Sequence, residues 1–82
     1  MRKIKRRVII NGVKHDIWLG LVKKGIKNTT VFNLYYYAGN PDDEDLKPVS
    51  LKNGFKGEKE AIDYGIAFME GLLGNIIERN KN

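Results

Sequence analysis

Two stretches near the start of the chain, 3–10 and 13–24, are rich in Val, Ile, Leu and Trp, with apolar and polar residues interleaved in the first, and Asn11-Gly12 stands between them. A repeat of two is the mark of a strand with one covered face. Asn-Gly is the dipeptide that best tolerates positive φ at both centres of a type I′ turn, so the pattern predicts a β-hairpin. A two-residue turn also sets the register. Ile10 then faces Val13, Val8 faces His15, Arg6 faces Ile17 and Ile4 faces Leu19, all toward the expected core. The opposite side pairs Ile9 with Lys14, Arg7 with Asp16 and Lys5 with Trp18, with Lys3 nearby.

Residues 23–28, with Gly25 and Asn28, are read as the second turn, and residues 29–38 as a third strand on their β-branched and aromatic content. Phe32, Leu34 and Tyr36 are the more apolar set and are assigned to the core. Val31, Asn33, Tyr35 and Tyr37 fall on the other side, where Tyr35 and Tyr37 join Trp18 as exposed aromatics. Gly39-Asn40-Pro41 ends the strand, and Asp42, Asp43, Glu44 and Asp45 make the loop 39–48 acidic and solvated, because adjacent carboxylates repel. Residues 49–55 add a short edge strand through Val49 and Leu51, limited by Pro48 and Asn53-Gly54.

After Gly57 the spacing changes. Ile62, Ile66, Met69, Leu73 and Ile76 recur at intervals of four, three, four and three, with Gly65, Phe68, Leu72 and Ile77 widening the stripe. This predicts a helix over 58–79 with Gly57 as N-cap and Glu58 and Glu60 in its positively polarised first turn. Arg79 and Lys81 place cations at the helix end, where the chain frays. Gly65, Gly71 and Gly74 each cost a helix about 1 kcal/mol relative to Ala, so packing must hold it; close approach to the sheet at Gly65 is one reason to tolerate the cost. The expected fold is α+β: three antiparallel strands, or four if the edge strand forms, with one C-terminal helix on one face. One domain spans residues 1–82.

Composition narrows the chemistry. There is no cysteine among the 82 residues, which removes disulfides and Cys-based zinc sites and leaves the core to hold alone or through a homodimer. No signal peptide and no apolar run near the ~18 residues of a membrane span occur, so the expected location is cytoplasmic. Residues 1–30 carry nine Lys/Arg against the single acid Asp16, whereas residues 31–82 carry six against nine Asp/Glu. That asymmetry points to a polyanionic partner.

The candidate site is the outer sheet face. Lys3, Lys5, Arg7 and Lys14 would meet phosphates, and Trp18, Tyr35 and Tyr37 would stack on bases or cover apolar sugar and methyl surface. The same pattern also has a purely structural explanation: a polar outer face, Lys5 packed over Trp18, and edge charges that block strand-to-strand aggregation. Arg6, on the core side near an open strand end, is expected to snorkel, extending a basic rim with Arg2, Lys23, Lys24 and Lys27. His15 has no Cys or same-strand carboxylate partner and is a poor metal or acid–base group. Asp16 opposite Arg7 reads as a cross-strand ion pair. The acidic run lacks the ligand spacing of an EF-hand, and is expected to be a solvated loop that can also shield the basic face. No phosphate-binding glycine loop and no Ser/His/Asp set is present, Ser50 being the sole serine. No enzyme activity, metal or cofactor is expected.

The order of elements, together with the helix start Phe55-Lys56-Gly57-Glu58-Lys59-Glu60-Ala61, is similar to that of AP2-type domains and of the arm-binding domains of tyrosine integrases, which lay a sheet in the DNA major groove. HicB-like and other small β-rich folds share it, so the resemblance transfers no residue roles. The expectation is a nucleic-acid-binding domain, DNA ahead of RNA. Its alternative is a protein-interaction or assembly module, of the kind found as phage or mobile-element accessory proteins, that uses the exposed aromatics or a homodimer interface.

Overall fold

Asn11 and Gly12 take φ values of 52° and 79°, the paired positive angles of a type I′ turn, and the chain doubles back there. A computed structural model describes residues 1–79. Strand β1 (Arg2–Ile10) pairs antiparallel with β2 (Val13–Ile26), and each pairing expected from the two-residue turn is present, from Ile10 with Val13 to Ile4 with Leu19. Strand β3 (Thr29–Tyr37) pairs with β2, and β4 (Val49–Phe55) pairs with β3, giving an antiparallel sheet in the order β1-β2-β3-β4. The fold is thus α+β, with the edge strand present and helix α1 (Glu58–Arg79) closing the chain. The fraying expected at residues 80–82 lies outside the described residues.

The second turn is tighter than the sequence pattern predicts. Residues 23–26 continue β2, with Lys24 opposite Val31 and Ile26 opposite Thr29, so only Lys27 and Asn28 turn the chain. Lys27 takes a φ of 46°, and the Thr29 amide donates to the Lys27 carbonyl. Gly25 is a weak strand former, but pairing across from Thr30 carries it. Strand β4 joins with irregular register between Phe32 and Tyr35. The Gly54 amide donates to Asn33 Oδ1 at 3.2 Å there, giving a buried side chain on the outer side of β3 a partner.

Ile17, Leu19 and Leu34 are fully buried at the centre of the core, and α1 lays Ala61, Ile62, Gly65 and Met69 against it. A Cβ at Gly65 would lie 2.8 Å from Leu19 Cδ1, so the glycine is what lets the helix approach the sheet. Phe68 tilts against Tyr36 with ring centroids 5.2 Å apart, and Arg2 pairs with Glu58, tying the start of β1 to the first helical turn. Lys59 donates to Asp63 at 2.7 Å, and that carboxylate raises the pKa of the Lys59 ammonium. The stripe of α1 weakens toward its end, where Ile76 is 47% exposed at the rim of a cleft beyond the end of β3. No helix among the described residues is long and apolar enough to cross a membrane.

Candidate nucleic-acid interface

Because α1 covers the face carrying Ile4, Val8, Ile17, Leu19 and Leu34, the pleat sends Lys3, Lys5, Arg7, Lys14, Trp18 and Tyr35 to the opposite, uncovered side. Pairing sets Lys5 beside Trp18 and Trp18 beside Tyr37 across three strands, with Lys3, Gly20 and Tyr35 in the row above. Lys3, Lys5, Arg7 and Lys14 are exposed, and Trp18 and Tyr35 are half-buried.

Asp16 is the carboxylate of this face. Its Oδ1 accepts from Arg7 Nε at 3.3 Å, as the register predicts, and its Oδ2 lies 3.6 Å from Lys5 Nζ. One carboxylate therefore faces two cations, both more than half exposed, and such pairs contribute little to stability. Lys5 Nζ also sits 5.9 Å from the Trp18 ring centroid, the packing expected of a lysine stem beside an indole. Lys3 and Lys14 have no carboxylate within ion-pair distance among the described residues.

Tyr37 departs from expectation. Its strand position is as assigned, but it is only 5% exposed and its hydroxyl donates to Met1 Sδ at 3.4 Å. Gly20 presents no side chain in the adjacent row, and Met1 Sδ fills that recess, where a Cβ would otherwise stand. Alternation assigns a side to a residue but not its accessibility, and Tyr37 offers no ring for stacking.

Arg6 is exposed and donates through Nη1 to the Lys5 carbonyl at 2.9 Å, as a snorkelling rim residue does. His15 is half-buried, and its Nε2 is buried without a hydrogen-bond partner among the described residues. Among the described residues no cluster of three or more His, Asp or Glu groups is placed to hold a metal ion.

The acidic loop is held by hydrogen bonds from its own amides to its own side chains. Asn40 Oδ1 accepts from the Asp42 amide and Asp43 Oδ1 from the Asp45 amide, both at 3.0 Å. None of its carboxylates pairs with a cation of the sheet face among the described residues. Of the cations expected at the rim, Lys24 shares the outer side of the sheet with Val31, and Lys27 stands at the turn. No alternation marks this in the sequence, because Lys23, Lys24 and Gly25 follow one another with no apolar residue between them. Neither a protein-family model, nor a curated protein, nor a solved structure matches this chain.

Proposed function

We propose that this protein is a non-enzymatic nucleic-acid-binding domain, directed to DNA, that docks the sheet face opposite α1. Lys3, Lys5, Arg7 and Lys14 contact phosphates, and Trp18 and Tyr35 supply apolar surface. The observation that carries this reading is an uncovered sheet face on which four exposed cations surround a single carboxylate, Asp16. Cations ranged along a pleated surface neutralise phosphates and release condensed counterions, which makes affinity salt-dependent.

Titration of the protein with labelled DNA at two salt concentrations tests it. Lys5→Ala with Arg7→Ala is expected to weaken binding similarly for all sequences and to reduce the salt slope by about 2, close to one unit for each phosphate that is no longer neutralised. Unchanged affinity at low salt would remove this face as the site.

A second reading, a protein-interaction module, draws on the apolar residues of the hairpin tip. Ile9 and Val13, at the β1–β2 hairpin tip, are 65% and 56% exposed. A homodimer closing over them would make the apparent mass rise with concentration, without nucleic acid.

A further inference from the structure

The two outer strands stop short of one end of the molecule. The last β1 partner of β2 is Arg2, opposite Leu21, and the last β4 partner of β3 is Phe55, opposite Phe32. Residues 24–31 therefore continue alone as a two-stranded ribbon, paired Lys24 to Val31, Gly25 to Thr30 and Ile26 to Thr29. At about 3.3 Å per residue it projects on the order of 15 Å. Lys24, Gly25, Lys27, Asn28, Thr29 and Thr30 are all exposed. From residue 17 to residue 41 the sequence contains no acid, and neither Lys24 nor Lys27 has a carboxylate within ion-pair distance among the described residues.

An isolated hairpin of this size is marginal by itself and has no core to serve. Here it is held at its root by the sheet, and its outer side continues the side of Lys3, Lys5, Arg7 and Lys14. The B-form major groove, about 12 Å wide, admits a two-stranded ribbon, whereas the A-form major groove of RNA is too narrow for protein side chains. We infer that the β2–β3 ribbon enters the major groove of duplex DNA, carrying Lys24 and Lys27 onto its walls while the broader sheet face stays on the backbone. This inference rests on the reading of the sheet face as a nucleic-acid surface.

The test compares wild type with Lys24→Gln plus Lys27→Asn. Asn accepts the positive φ at position 27, so the turn is kept while both charges go. The probes are a DNA duplex of about 16 base pairs, one and a half helical turns, the duplex RNA of the same sequence and the single strand, each followed by anisotropy across a salt series. Wild type is expected to prefer the DNA duplex. The variant is expected to bind it about tenfold more weakly, with a salt slope lower by nearly 2, and to lose the preference for DNA over RNA duplex. If wild type binds the duplex and the variant matches it in affinity, slope and preference, the ribbon is not the groove element and the sheet-face reading stands. If wild type binds none of the three probes at low salt, both fall. Lys24→Ala alone, which leaves the turn untouched, is the control should the double variant lose its helical circular dichroism; it is expected to lower the slope by about 1, and an unchanged slope overturns the inference.

Discussion

At Gly65 a single hydrogen where other residues carry a methyl decides how near the helix lies to the sheet. Gly65→Ala would push a Cβ to within 2.9 Å of both Leu19 methyl carbons, and Leu19 is fully buried in the core, so the two must shift apart. Overpacking of this kind costs about 1–3 kcal/mol, more than the roughly 1 kcal/mol gained in helix propensity. Gly71, exposed on the same helix, has nothing among the described residues within 4 Å of a Cβ. Gly71→Ala is thus expected to stabilise the protein by up to about 1 kcal/mol, whereas Gly65→Ala lowers its stability, with urea denaturation as the measurement. The two glycines carry the same propensity penalty on paper. Only the position of Gly65 in the apolar stripe distinguishes them in sequence, and the packing against Leu19 is the reason it does.

Elements differ in how openly the sequence declares them. Hairpin β1–β2 is legible because Asn11-Gly12 admits one turn geometry and alternation does the rest, and α1 because its apolar spacing has no strand interpretation. Strand β4 is harder to read: Pro48, Asn53 and Gly54 interrupt its pattern, and its pairing depends on a side chain from β3 that no local signal announces. Asn33→Ala removes the acceptor for the Gly54 amide and is expected to cost about 1 kcal/mol, with faster amide exchange confined to β4 and its neighbours on β3. Uniform acceleration across β1 and β2 as well would show that Asn33 supports the whole sheet instead. Local composition misplaces the β2–β3 turn because Lys and Gly at 23–25 resemble a loop, while pairing with Thr29, Thr30 and Val31 draws them into a strand. The candidate site is legible in its cations and illegible in Tyr37, whose burial depends on Met1 and on the missing side chain of Gly20.

For the whole molecule the balance on the outer face is set by Asp16, which holds Lys5 and Arg7 partly neutralised. Asp16→Asn leaves both side chains free for phosphate and is expected to tighten DNA binding by up to about fivefold, the equivalent of an exposed ion pair of ~1 kcal/mol, with a steeper salt dependence. The same titration that follows Lys5 and Arg7 measures it, and weaker binding would mean that Asp16 positions those cations rather than competing for them. The charge is also sorted along the strands. Strand β3, nine residues long, begins beside the Lys27 turn and ends just before the loop that carries Asp42 to Asp45, so the two stand about 30 Å apart. Charge sorted along one strand in this way gives the molecule a dipole, like a compass needle. In the field of a polyanion such a dipole would feel a torque before any contact, one that turns the Asp42 to Asp45 loop outward and the Lys27 turn inward.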